Sequence, residues 1–375
     1  MRILVDATGV NDGGGGICTY FLGLLAGWAQ AGFDDEWCIV GMRNLPRAVD
    51  DLIGRGTVVR HGNPSVLPRI LTQQVVLPAT PWRRRWRPDV FLAMTPVIPM
   101  VPGRAPTVAT VYDLRSLRCP EEFGALNRGY RRLAYRHGLT KADGLVAISA
   151  YAASEVAAIA PERRAVARVL TLGADHVDGW ARPPAVSGQG ITFAHWSNKR
   201  PDIAIRAWRL LHDGHPGFTG VLQVVGAPPA VRESLRSLAA RLGLDSAVAV
   251  HGYLPESDYR AVFASSEVVV MPSSMEGFGL PVAEAQRLGI PVVASAVGGM
   301  TEAGGDAALY SIDGTAASFA HLCAEALFDG PRRRQLVADG YEHARGFLWR
   351  ETAESVRAEL ERTLSRPGRR RSPAQ

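Results

Sequence analysis

The sequence predicts an α/β protein made of two units, each a parallel sheet covered on both faces by helices. Three observations predict it. Short continuous apolar runs alternate with helical periodicity along nearly all of the 375 residues, as expected for buried parallel strands joined by crossover helices. A stretch rich in Pro, Gly and Ala, from Gly173 to Gly190, interrupts that alternation before it restarts at Ile191–Phe193, which marks a linker between domains. Finally, Val268 to Ser295 reads as strand, glycine loop, helix and strand in immediate succession.

Composition bounds the function classes. The chain is 47% hydrophobic and 21% charged, ordinary for a globular protein long enough to hold two cores. Its four cysteines, at 18, 38, 119 and 323, have neither close pairing nor metal-ligand spacing, which argues against a disulfide framework or zinc site and for a reducing compartment. The opening run MRILVDATGV is broken by Asp6 and is too short for a signal segment, and no stretch approaches a membrane span, so a cytoplasmic protein is expected. The net charge of +6 is concentrated in Arg83, Arg84, Arg85 and Arg87 and in a tail carrying Arg366, Arg369, Arg370 and Arg371. Residues 365–375 read as a disordered basic tail, and without aromatic interleaving or zinc-finger spacing no nucleic-acid partner is expected.

In the first half, strands are expected at Ile3–Val5, Cys38–Val40, Val90–Ala93, Thr107–Val111, Leu145–Ile148 and Val169–Thr171. The first runs into Gly9–Ile17, which holds four consecutive glycines, and then into the apolar helix starting at Tyr20; glycines here can wrap a phosphate or form a mobile loop. Asp113 stands at the end of the Thr107–Val111 run, where a carboxylate either faces a ligand or caps the next turn. Residues 125–141 place Leu126, Tyr130, Leu133 and Leu139 at helical spacing among Arg128, Arg131, Arg132 and Arg136. That pattern suits a basic amphipathic helix, able to cover a sheet or to associate peripherally with an anionic membrane.

In the second half, the strand Ile191–Phe193 leads through His195, Lys199 and Arg200 into a helix from Ile203. Val221–Val225 and Val248–Val250 come next, and Val268–Met271 opens the strand, loop, helix and strand that end at Ser295. The loop there, Glu276-Gly277-Phe278-Gly279, feeds a helix with Pro281 in its first turn, so backbone N–H groups and the helix dipole make an anion site. Glu276 and Glu284 repel phosphate but accept strong hydrogen bonds from sugar hydroxyls, so a sugar diphosphate fits. The plainer alternatives are a solvated loop glutamate and an ordinary first-turn glutamate.

The run Glu276-Gly277-Phe278-Gly279-Leu280-Pro281 with Glu284-Ala285, followed by Gly289-Ile290-Pro291 and Gly298-Gly299-Met300-Thr301-Glu302, resembles the signature of the retaining glycosyltransferases of family four, which use nucleotide sugars. The resemblance implies a GT-B fold: two Rossmann-like α/β/α domains facing a cleft, with the terminal helix Trp349–Leu364 crossing back to the first domain. Domains are accordingly expected at 1–180 and 190–346, with the crossover helix at 347–364. It implies a hexosyltransferase-type enzyme that moves a sugar from a nucleoside-diphosphate sugar to a hydroxyl of a glycan, lipid-linked or small-molecule acceptor, with retention and without a metal or other cofactor. Glu276, Lys199 and Asp113 are the implied catalytic residues. The implied donor contacts are Gly15, Gly16, Lys199, Arg200, Tyr253, Leu254, Glu276, Gly277, Phe278, Gly279, Leu280 and Glu284. Two positions depart from the family pattern: Tyr112 stands where a histidine precedes Asp113, and His195 where an arginine accompanies the lysine. Those departures leave open a non-catalytic nucleotide-sugar-binding subunit, and the shape alone leaves open an epimerase or phosphorylase.

Overall fold

The computed structural model describes residues 1–13, 15–79, 86–101, 103, 105–163, 166–181 and 183–366. Gly14, the arginines 83–85 and the tail arginines 369–371 lie outside the described residues.

The chain forms two compact units, one of residues 1–173 with 348–375 and the other of residues 174–347. The first unit carries β1 (Arg2–Asp6), β2 (Glu36–Gly41), β3 (Gly56–Arg60), β4 (Val90–Ala93), β5 (Thr107–Val111), β6 (Gly144–Ala147) and β7 (Ala167–Val169). They pair in the order β3-β2-β1-β4-β5-β6-β7, all parallel. The second carries β8 (Gly190–Phe193), β9 (Leu222–Val225), β10 (Val248–Val250), β11 (Val268–Met271), β12 (Val292–Ser295) and β13 (Leu309–Ser311), ordered β10-β9-β8-β11-β12-β13 and again parallel. Strands β1, β6, β8, β11 and β12 are buried along nearly their whole length, which is why they read as unbroken apolar runs. The edge strands β3 and β13 carry no such signal in the sequence because they are short, half-exposed or interrupted by polar residues.

In each sheet the strand order reverses once, between β1 and β4 and between β8 and β11. Successive strands grow outward from that point in opposite directions, so the loops leaving the two central strands part and open a crevice at their C-terminal ends.

The helices include α1 (Gly16–Gln30), α2 (Ala125–Lys141), α3 (Pro201–Gly214), α4 (Leu280–Arg287) and α5 (Trp349–Leu364). On α2 the buried face is Ala134, Tyr135, Gly138 and Leu139. Leu126 and Leu133, expected on that face, are 62% and 64% exposed: Gly138 packs directly on the Pro96 carbonyl, and this close approach rotates the larger side chains outward.

Residues 174–180, assigned from sequence to the first domain, belong to the second unit. The Ala174 N–H donates to the Phe347 carbonyl (2.9 Å), and Arg287 of α4 binds Asp178 through Nε and Nη2, each at 2.7 Å. The start of the stretch that reads as linker is thus held by a backbone hydrogen bond and an ion pair that its composition does not reveal.

Helix α5 begins with Trp349, 1% exposed, in a slot cut by three glycines of its own unit. An added Cβ would lie 2.2 Å from the indole at Gly23, 2.0 Å from the Trp349 carbonyl oxygen at Gly27 and 2.3 Å from the Trp349 nitrogen at Gly173. Gly27→Ala should therefore lower the melting temperature by about 4 °C or more, the cost of over-packing a filled core. Gly54→Ala, whose Cβ meets nothing, should leave it unchanged; equal melting temperatures for the two variants in calorimetry would refute this account of the slot.

Candidate functional site

In the second unit the loops after β8 and β11 leave adjacent strands at the reversal point. Asn198, 8% exposed, clasps them together: its Nδ2 donates to the Met275 carbonyl (2.7 Å) and its own carbonyl accepts from the Ser274 N–H (2.8 Å). Beside it the Lys199 Nζ lies 2.6 Å from the Glu276 Oε1, with side chains only 7% and 12% exposed. Two residues 77 positions apart in sequence are thus one ion pair, because strands eight and eleven are neighbours.

Lys199 reaches that position through a tight 3-10 turn, Ser197–Lys199, followed by Arg200 at φ 48° and ψ 50°. Arg200 is the one non-glycine residue with positive φ among the described residues, a conformation costing about 1–2 kcal/mol. It turns the chain abruptly into Pro201, the first residue of α3. The Arg200 guanidinium does not join Lys199; it pairs with Asp202, its Nε and Nη2 each 3.2 Å from a carboxylate oxygen.

The Glu276–Leu280 loop is shaped by a second glycine pair behind it. A Cβ at Gly298, where φ is 60°, would lie 2.1 Å from the Glu276 carbonyl oxygen, and one at Gly299 would lie 2.3 Å from that of Gly277. Only glycine permits this approach, and the Gly299 N–H uses it to donate to the Glu276 carbonyl (3.1 Å). Gly279, at φ 99°, then caps α4, with Leu280 and Pro281 in the first turn. Phe278 is buried edge-on against Phe347, ring centroids 5.8 Å apart, and so anchors the loop.

Glu284, one turn into α4, is 5% exposed. Its Oε1 lies 3.2 Å from the Nε2 of His176. His176 has no sequence signal, since it stands alone in the stretch that reads as linker.

At the end of β10, Tyr253 is 61% exposed and Leu254 half-buried. The loop is tied back by the Gly226 N–H on the Gly252 carbonyl (3.0 Å). His251 has its Nε2 2.7 Å from the Gln223 Oε1. Burial, reinforced by Arg236 and Arg232, holds its pKa below the usual histidine range.

In the first unit, the glycine loop after β1 and Asp113 after β5 share the C-terminal edge of their sheet. Gly15, at φ 96°, caps α1; it and Gly16 are exposed, and an added Cβ at either meets nothing. The Asp113 Oδ1 accepts from the Arg115 N–H (3.3 Å), a turn-capping contact. Tyr112 points inward: its ring meets that of Tyr20 edge-on at 5.6 Å, and its hydroxyl is buried with no hydrogen-bond partner. Burial raises its pKa well above the usual tyrosine value, so it stays neutral and carries no charge to a ligand. Among the described residues no three His, Cys, Asp or Glu side chains are grouped to hold a metal ion.

Residues 195–343 match the model of the family described as glycosyl transferases group 1. A D-inositol 3-phosphate glycosyltransferase of Acidothermus cellulolyticus is 36% identical over 42% of this chain and 37% of its own length. The chain therefore spans about two fifths of that relative. A 2-deoxystreptamine N-acetyl-D-glucosaminyltransferase of Streptomyces fradiae is 28% identical over 92% of this chain and 90% of its own. Among solved structures, Anabaena HepE in complex with UDP and glucose superposes with a TM-score of 0.72 at 18% identity, covering 96% of this chain and all of that one. The two parallel sheets and this likeness make the fold GT-B.

Removing one member of the Lys199–Glu276 pair leaves the other nearly buried and uncompensated. Lys199→Met should cost about 3 kcal/mol of stability, and adding Glu276→Gln should restore much of the loss. Urea unfolding followed by fluorescence measures both; a double variant less stable than the single one would contradict the pairing.

Proposed function

We propose that the protein transfers a glycosyl group from a nucleoside-diphosphate sugar to a hydroxyl acceptor, with retention and without a metal; the match of residues 195–343 to the glycosyl transferases group 1 model supports this reading. The observation that carries this reading is the nearly buried Lys199–Glu276 pair beside the N-terminus of α4. It sets a cation, a carboxylate and a helix N-terminus along one sheet edge, the three groups a sugar diphosphate needs. An ammonium has three N–H donors. With one directed to Glu276, Lys199 keeps two for the diphosphate, whose negative charge grows as the glycosidic bond breaks.

The backbone of Gly277 to Leu280 adds the helix dipole to that stabilisation, preorganised in the manner of an oxyanion hole. Glu276 accepts from hydroxyls of the transferred sugar, and Glu284 from the ribose. The base rests on the main chain around Tyr253 and Leu254. The donor role of Gly15 and Gly16 and the catalytic role of Asp113, in the first unit, follow from the resemblance alone. No carboxylate nucleophile is assigned: the leaving phosphate takes the acceptor's proton in a front-face substitution. Arg200 is engaged by Asp202, and the neutral Tyr112 takes no part in proton transfer.

The relatives are named for D-inositol 3-phosphate and 2-deoxystreptamine, both polyhydroxylated six-membered carbocycles, which favours a small cyclitol-like acceptor. The second of them is matched over nearly its whole length. Peripheral attachment to an anionic membrane is a separate reading, carried by the first unit. Leu67, Leu71 and Val75 form an exposed stripe at four-residue spacing, and α2 exposes Leu126 and Leu133 among its arginines. Tyr130 of α2 bonds Gln73 (3.0 Å) and Gln74 (3.2 Å), so the two segments meet there.

Nucleotide screening by thermal shift with UDP, GDP, TDP and ADP and their sugars should raise the melting temperature for the preferred one, since a ligand confined to the folded state stabilises it. Turnover should persist in chelator, and Glu276→Gln should lower kcat by about 100-fold or more; loss of activity on chelation would rule out the metal-free mechanism. For the membrane, co-sedimentation with vesicles containing phosphatidylglycerol should fall by several-fold in Leu71→Ser/Leu133→Ser. Equal binding to neutral vesicles would exclude it.

A further inference from the structure

We infer that His176 is a positioning residue for donor recognition, holding the carboxylate of Glu284 toward the nucleotide ribose; this rests on the proposal that the donor is a nucleotide sugar. The His176 Nε2 stands 3.2 Å from Oε1 of a carboxylate that is itself only 6% exposed. A nearly buried carboxylate on the first turns of a short helix has few ways to be oriented, and a donor on one oxygen leaves the other to accept from a ribose diol. The imidazole is supported in turn. Its ring lies edge-on to Trp180 at 6.1 Å, and Trp180 packs on Tyr259 and Phe263 at 5.9 and 5.7 Å.

The segment bearing His176 does not depend on that contact for its place. Asp178 binds Arg287, one turn beyond Glu284, through both carboxylate oxygens at 2.7 Å, and the Ala174 N–H is bonded to the Phe347 carbonyl at 2.9 Å. Two attachments therefore hold the chain against α4 while the histidine addresses the glutamate. Removing the imidazole loosens one carboxylate and leaves its surroundings in place.

Calorimetric titration with UDP and dUDP, and with GDP and dGDP, tests this, because each pair differs only in the ribose 2′-hydroxyl. In the wild type the preferred ribonucleotide should bind more tightly than its deoxy counterpart. His176→Ala should weaken it about tenfold, the worth of one hydrogen bond to a charged group, with little effect on the deoxy form. Glu284→Gln should produce the same pattern, and the double variant should lose no more than Glu284→Gln alone. His176→Gln, which keeps an N–H donor, should retain most of the discrimination. Equal weakening of both nucleotides by His176→Ala, or additive losses in the double variant, would overturn the positioning role while Glu284→Gln still upheld the ribose site. A wild type that bound none of these, nor ADP or TDP, would overturn both readings.

Discussion

The second unit depends on one constraint: the loops leaving β8 and β11 must meet. They leave neighbouring strands at the point where strand order reverses, and the Lys199–Glu276 pair with the Asn198 clasp closes the space between them. A nearly buried ion pair is a poor source of stability, since desolvation offsets most of the attraction. At the strand-end crevice it sets a cation and a carboxylate side by side. The strained backbone of Arg200 belongs to the same arrangement, because the chain can present Lys199 and still enter α3 only through that abrupt turn.

Close backbone approach is the second constraint, and glycine meets it in both units. Gly298 and Gly299 let one strand-end loop lie directly behind another, while Gly23, Gly27 and Gly173 receive Trp349. In each case the contact is with backbone or a rigid ring, which cannot move aside for a methyl group. The first arrangement shapes the candidate site. The second ties the last helix to the sheet of the first unit, so that unit is built from both ends of the chain.

Much of this is legible in the sequence. Unbroken apolar runs give away strands buried on both faces, which is why Val90–Ala93, Thr107–Val111 and Val268–Met271 have the same bounds in sequence and structure. The glycine loop and its helix are equally plain, because turn chemistry is local. Short edge strands such as β3 are not, since half-exposed strands lose the apolar signal. Helix α2 shows its periodicity but not its buried face, because the close approach at Gly138 decides which way the leucines turn.

By itself the sequence determined the alternation, the glycine loops and the residue types at the candidate site, all consequences of local periodicity and backbone permissiveness. Only the tertiary structure decided who meets whom. Lys199 finds Glu276 across 77 residues, Tyr112 turns its hydroxyl into the core beside Tyr20, and His176 leaves a supposed linker to stand on Glu284. Those pairings come from strand order and burial, which are properties of the assembled sheets and have no expression in the spacing of the residues along the chain.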